Sequence, residues 1–309
     1  MGSSSLRQMD KLFYITKKAS DDTIRFYLDK TAPDLRDRIV PISYEYLLSC
    51  EKVPVGNYLF TDMDRASRIE IEKAVRVASA ITNAGHGCRV INWPNAGWMR
   101  YELLRQLYER KINPFNVYRC TEARMTARFP VFVRRLSEHT GSFTKLIDSP
   151  ERLERVIDRL LKMGCDRDDL LVIEFVDTRA PDGLYRKYGS FLVEGEVFAG
   201  HVLASESWTV KHLDIVNEAI IDESIEFLRN NAFADEVRAV FSLARIDFGR
   251  IDFSVVDGRM HVWEINTNPR LYAPSFDRHP DLLQRALTPY YLPRIRDGLT
   301  RLLRSKDAT

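Results

Sequence analysis

Apolar positions along the chain fall into two periods. Residues 12–15 and 58–60 are short continuous apolar runs bounded by polar turns, the pattern of strands buried on both faces. From Ile69 to Ala84 the residues Ile71, Ala74, Val75, Ala78 and Ile81 recur three and four apart, which is one face of a helix. Gly85 and Gly87 can end it. Residues 88–91 read as the next strand and 98–110 as the next helix. This alternation predicts a small parallel sheet covered by helices.

The middle of the chain changes character. Residues 130–135 read as a strand, and 150–163 as an amphipathic helix with Leu153, Val156, Ile157, Leu160 and Leu161 on one side. Residues 170–173 read as a buried strand. Residues 188–192 and 197–202 form a hairpin around Glu194-Gly195, a helix covers 220–229, and a second hairpin runs over 250–266. The tail from residue 280 is helical. The fold class predicted is α/β, with an α+β C-terminal part.

Composition narrows the function classes. At about 150 residues per domain, 309 residues predict about two domains. Lys+Arg 46 against Asp+Glu 44 leaves +2, which disfavours a nucleic-acid-coating role. No apolar run reaches membrane-spanning length, so no membrane partner is expected. No charged-then-apolar leader is seen, so secretion by that route is not expected. Cys50, Cys88, Cys120 and Cys165 are far apart without zinc-ligand spacing, and reduced thiols in the cytoplasm are the expectation.

The candidate chemistry lies in residues 252–269. Side chains alternate along a strand, so Glu264 and Asn266 share one face, while Trp263 and Ile265 take the other, toward a core. Two oxygen-bearing side chains in register suit a hard cation such as Mg²⁺. Asp252 on the partner strand can add a third ligand if the register allows. A two-residue loop at Asp257-Gly258 would put Asp252 opposite Trp263, on the wrong face. A three-residue loop would put it opposite Val262, one diagonal step from Glu264, and is the form expected. The other reading is a hairpin with a solvated acidic face.

The run Glu264-Ile265-Asn266-Thr267-Asn268-Pro269, with Asp252 upstream, resembles the metal-binding signature of the ATP-grasp superfamily, carboxylate-amine ligase type. Three more segments resemble it in order. They are Arg100 to Leu104 leading to Ile112-Asn113-Pro114-Phe115, then Pro130 to Arg135 with a polar loop ending at Gly141, then Val172-Ile173-Glu174-Phe175-Val176. The resemblance implies ATP and Mg²⁺ as cofactors. It implies an N-terminal parallel-sheet domain over 1–95, a small lid subdomain over 96–170, and a large antiparallel-sheet subdomain with the metal site over 171–309. Asp252, Glu264 and Asn266 would hold metal. Arg100, Arg134, Lys187, Glu174, Phe175, Val176, Asp177, Gly141 and Ser142 would bind nucleotide. Lys187, Arg186 and Arg270 would act at the reacting groups.

The sequence departs from the family pattern at several points. Arg100 and Arg134 stand where the family has phosphate-contacting lysines, and a planar guanidinium can still grip phosphate oxygens. Lys111 stands where Gly is frequent. Gly189 stands where an Arg touching phosphate or substrate is common, and Lys187 or Arg186 is expected to substitute. Arg119, Arg124, Arg128 and Arg135 form a basic approach or a solvated face. His139 is expected at the surface, and His201 and His261 as satisfied hydrogen-bond partners. Asp182 is expected to form a turn or to accept ribose hydroxyls. The substrates implied are a small-molecule or peptide carboxylate and an amine acceptor, joined through an acylphosphate. A homodimer is possible on the family's habit. A kinase acting on a hydroxyl, or a nucleotide-binding protein without turnover, fits the same motifs.

Overall fold

A computed structural model describes residues 11–122, 126–136 and 142–304. Strands β1 (Leu12–Thr16), β2 (Ile39–Ser43), β3 (Asn57–Phe60) and β4 (Val90–Ile91) form a parallel sheet in the order β2-β1-β3-β4. β1 is central and buried at every residue, which is why its sequence is an unbroken apolar run. β2 escapes the sequence pattern because Pro41 interrupts it. It lies on the sheet edge, where a missing backbone donor is tolerated. Helices α1 (Asp22–Thr31) and α2 (Arg68–Asn83) follow β1 and β3. α2 opens with a capping box, Ser67 and Glu70 each bonding the other's backbone N–H, and buries Ala74, Ala78 and Ile81.

α3 (Arg100–Glu109) ends at Lys111, whose φ of 60° lies in the left-handed region that favours glycine. It leads to a three-stranded antiparallel sheet of β5 (Val117–Arg119), β6 (Val131–Arg135) and β7 (Leu170–Glu174), ordered β5-β7-β6. Helix α4 (Pro150–Lys162) packs Leu153, Ile157 and Leu160 onto it. β7 is the central strand of this three-stranded sheet.

The third layer is an antiparallel sheet of β8 (Tyr185–Val193), β9 (Glu196–Ser205), β10 (Phe248–Val256) and β11 (Arg259–Asn266), ordered β11-β10-β8-β9. α5 (Glu218–Asn230) packs Phe227 on Tyr188, α6 (Ala234–Ala244) follows it, and α7 (Leu292–Leu302) brings Gly298 against Val193, on the strand face opposite Tyr188. One apolar core joins Leu12 and Tyr14 of the first sheet, Leu171 and Ile173 of the second, and Phe191, Phe253 and Val262 of the third.

Both hairpins close with two-residue turns of positive φ, Glu194-Gly195 at 51° and 72° and Asp257-Gly258 at 49° and 72°. The three-residue loop expected at 257 is therefore not formed. Instead the β10–β11 register shifts between Asp252 and Phe253. Phe253 pairs with Val262, Trp263 is the extra residue, and Asp252 pairs directly with Glu264. The bulge puts Asp252 and Glu264 on one face, as the longer loop would have done, but directly opposite each other instead of on a diagonal.

A second shift, between Gly189 and Ser190, pairs Gly189 with His201. Gly189 also pairs with Asp252. A single row, His201–Gly189–Asp252–Glu264, therefore crosses all four strands.

Asn268 ties this sheet to the N-terminal one. Its Oδ1 accepts from Tyr14 Oη at 2.7 Å and Thr23 Oγ1 at 2.7 Å. Its Nδ2 lies 2.8 Å from Asp62 Oδ2 and 3.1 Å from the Ser20 carbonyl.

Candidate active site

Two cavities meet at that row. The first, about 820 Å³, lies between the three-stranded sheet and the large sheet. Its apolar end is aromatic: Trp208, from the loop after β9, sits 5.0 Å from Phe132 and 5.6 Å from Phe175 between ring centroids. Its polar end carries Arg134, Lys187, Asp252 and Glu264. The second cavity, about 1760 Å³, is lined from β8–β11, from the N-terminal residues Ser20, Thr23 and Arg65, and from Arg270. Lys187, Lys211, Asp252 and Glu264 line both cavities and mark their junction.

Charge at the junction is dense and buried. Arg250 grips Asp252 with two bonds, Nε–Oδ1 at 2.6 Å and Nη2–Oδ2 at 3.1 Å, and Lys187 Nζ adds a third contact at 3.2 Å. Burial pushes the Asp252 carboxyl up, but Arg250 and Lys187 outweigh it and hold the pKa below the usual aspartate range. Across the cleft, one oxygen of Glu264 is bonded by Arg100 and lies 3.1 Å from Arg134 Nη2. Burial and the neighbouring Arg100 push the pKa of Arg134 down to about 10, which leaves it cationic at neutral pH. His201 leans over the space that Gly189 leaves open: a Cβ at 189 would lie 2.5 Å from His201 Cε1. Burial and Arg250 push its pKa down to about 3, so the imidazole is neutral.

The sequence-derived candidates are placed unevenly. Arg134, Ser142, Phe175, Val176, Lys187, Asp252 and Glu264 line the first cavity, and Asn266 and Arg270 the second. Arg100 is buried behind Glu264, with Nη1 on the carbonyls of Arg135 at 3.2 Å and Leu136 at 2.7 Å. Arg186 does not reach the cleft. Strand alternation turns it to the opposite face from Lys187, where it bonds Asp182 and Glu223.

The Glu174 carboxylate also faces away, taken by Asn116 N, Tyr118 Oη and Arg128. Asp177 is exposed in a turn, accepting from Arg179 N at 3.0 Å. Gly141, Arg124 and His139, like most of the polar loop, lie outside the described residues. Simple alternation turns Trp263 toward a core. It does pack on the core, stacked on Phe115, and as the bulged residue it also lines the first cavity, with Nε1 donating to Ser254 Oγ at 2.9 Å. His261 departs from the satisfied role expected of it: its Nδ1 is buried without a hydrogen-bond partner among the described residues.

Sequence reasoning misses Trp208, Lys211 and Arg250. Trp208 and Lys211 sit in an irregular loop with no periodicity. Arg250 does carry a signal: it lies two residues before Asp252, on the same strand face.

The donors at the junction fit a hard divalent cation in their chemistry. Two carboxylates and the Asn266 amide, whose Oδ1 accepts from Asn268 N at 2.9 Å, are all oxygen ligands facing the second cavity. Among the described residues no three His, Cys, Asp or Glu side chains cluster as a metal site, so the set depends on the amide.

No family model matches the sequence, and no curated protein matches it. Solved structures do. The VanG D-Ala:D-Ser ligase of Enterococcus faecalis aligns with a TM-score of 0.56 and 12% identity over 96% of this chain and 100% of its own. The D-alanine–D-alanine ligase of Helicobacter pylori aligns at 0.52 and 12% over 97% and 99%. An ATP-grasp RimK domain protein of Sphaerobacter thermophilus aligns at 0.51 and 13% over 88% and 96%. With its parallel sheet, three-stranded antiparallel sheet and large antiparallel sheet, this chain shares the fold of the ATP-grasp RimK domain protein and of the two ligases across nearly their whole length.

Proposed function

We propose that the chain is an ATP- and Mg²⁺-dependent ligase that joins a carboxylate to an amine through an acylphosphate. The observation that carries this reading is the junction: an aromatic-ended cavity and a larger polar one share Lys187, Lys211, Asp252 and Glu264. The naming of the structural neighbours as ligases supports it.

In this reading the base lies among Trp208, Phe132 and Phe175, with backbone groups of Phe175 and Val176 at its edge. Arg134, Lys187 and Lys211 meet the phosphates. Mg²⁺ on Asp252, Glu264 and Asn266 would neutralise phosphate charge. The acid lies in the second cavity, with its carboxylate at the junction. A carboxylate oxygen attacks the γ-phosphorus, the bond to the β–γ bridging oxygen breaks, and ADP leaves. The amine nitrogen then attacks the acyl carbon, the carbon–oxygen bond to phosphate breaks, and the nitrogen loses its proton. Side chains do no covalent work here; positioning and charge neutralisation lower the barrier.

The test is trapping. With MgATP and a panel of acids, hydroxylamine should convert the acylphosphate into a hydroxamate in step with ADP release. A stable phosphorylated product without hydroxamate would make the protein a kinase. Binding of MgATP with no ADP from any acid or hydroxyl compound would remove catalysis.

A further inference from the structure

Another cavity, about 810 Å³, opens where the chain leaving α3 meets the start of β11. Among the described residues it shares no lining side chain with the two cavities at the junction. We propose that it binds a small organic oxyanion, a carboxylate or a phosphate monoester on an apolar body, through Lys111, Arg259 and His261. The site stands whether or not the ligase reading holds.

The cavity is built on a fixed frame. Asn113 clamps the Val262 backbone, its Nδ2 donating to the carbonyl at 2.8 Å and its Oδ1 accepting from the N–H at 2.9 Å. The segment after α3 is thereby tied to the strand that carries Arg259 and His261, so little has to be ordered when a ligand enters.

The polar groups on its wall lack partners. His261 is 8% exposed, and neither ring nitrogen has a hydrogen bond among the described residues. Nδ1 is shut away from solvent, which leaves Nε2 to meet a ligand. Burial lowers the pKa of the ring most, Arg259 lowers it as well, and together they outweigh Asp257. The imidazole is therefore neutral at pH 7, and its one N–H, placed on Nε2, suits an oxyanion.

Lys111 and Arg259 are exposed, and neither side chain has an ion pair or hydrogen bond among the described residues. Backbone N–H groups of Arg110, Lys111 and Ile112 already take the carbonyls of Gln106, Tyr108 and Leu107, so the Lys111 ammonium is not engaged in capping α3. Glu109, the acid on the same wall, is held by Arg105 at 3.4 Å and by Gln106 Nε2 at 2.8 Å. Two cations are thus left for an incoming oxyanion, which ammonium and guanidinium groups bind through charge-assisted hydrogen bonds. Tyr108, Ile112 and Pro114 offer an apolar wall for the body that carries it.

The experiment is calorimetry on the full chain with phenyl phosphate, benzoate, phenol and inorganic phosphate. At least one of phenyl phosphate and benzoate should bind saturably with a dissociation constant below about 1 mM, and the tighter of the two names the oxyanion. Arg259→Glu should weaken it roughly tenfold or more, the worth of a charged hydrogen bond. Lys111→Gly, which suits the φ of 60° at that position, should act in the same direction. His261→Phe, which keeps a ring without its nitrogens, should weaken it about two- to tenfold. Arg134→Gln, at the junction, should leave it within twofold.

No saturable binding of either anion would overturn the proposal. So would binding that ignores Arg259→Glu and Lys111→Gly, or that follows Arg134→Gln instead. Phenol binding as tightly as the anions would make the cavity an apolar groove and refute the oxyanion. Inorganic phosphate binding as tightly as phenyl phosphate would refute the apolar body.

Discussion

Nη2 of Arg134 lies 3.1 Å from Oε2 of Glu264, the same oxygen that Arg100 bonds from α3. Two cations therefore sit on one carboxylate, and Arg250 and Lys187 do the same to Asp252. A divalent ion arriving alone must displace like charges from both ligands. In the function proposed above, a nucleotide would remove that obstacle, its phosphates competing with the carboxylates for these cations. Mn²⁺ titrated into the protein alone and followed by electron paramagnetic resonance should show no tight site, and one should form when a non-hydrolysable ATP analogue is added. Arg134→Gln should weaken the analogue about 10- to 100-fold, the worth of a charge-assisted bond. Tight Mn²⁺ binding to the unmodified protein without nucleotide would refute this ordering.

Trp208 closes the aromatic end of the first cavity against Phe132 and Phe175. Base–aromatic stacking is worth about 1–3 kcal/mol, so Trp208→Ala should weaken ATP-analogue binding by roughly 10-fold or more. Trp208→Phe should keep most of it. Calorimetry reads both, and an unchanged affinity for Trp208→Ala would place the base elsewhere.

The residues that sequence makes legible are those whose partners lie nearby in the chain. Glu264 and Asn266 are two apart on one strand, and alternation alone puts them on one face. Arg134 stands out for a similar reason, being a charged residue inside an apolar strand. Features set by distant partners are not legible. Nothing in the run around Trp263 announces a bulge, yet the bulge is what brings Asp252 opposite Glu264. Arg100 is picked out by the motif resemblance, but its bond to Glu264, 164 positions further along the chain, is not. The Asp62–Asn268 bond, which fixes the end of β11 to the first sheet, spans 206 positions. The apolar pattern sorts residues into layers. It says little about which polar residues of two layers meet.

Gly189 is explained by such a partner. The His201 ring fills the space a side chain would need, its Cε1 only 2.5 Å from where a Cβ would stand. Gly189→Ala should therefore cost about 1–3 kcal/mol, as overpacking does, read as a lower denaturation midpoint. His201→Gly should relieve the clash, so the double variant should recover most of that loss. A double variant no more stable than Gly189→Ala would mean the strain lies in the β8 backbone.

Glu174 gives the pH dependence. Burial raises its pKa, but the bonds from Arg128, Asn116 and Tyr118 outweigh burial and hold it below the ordinary glutamate value. A carboxylate with a depressed folded pKa stabilises the protein above its unfolded value of about 4.3, and that contribution is lost as pH falls through the folded value. At pH 7 Glu174→Gln should lower stability by about 1–3 kcal/mol, the cost of losing charge-assisted bonds at a buried acceptor. The gap between variant and wild type should narrow as pH drops below about 4, because the wild-type side chain then becomes neutral as well. Urea denaturation at pH 7 and at successively lower pH reads the gap. A difference that stays constant across that range would mean Glu174 contributes through packing and not through its charge.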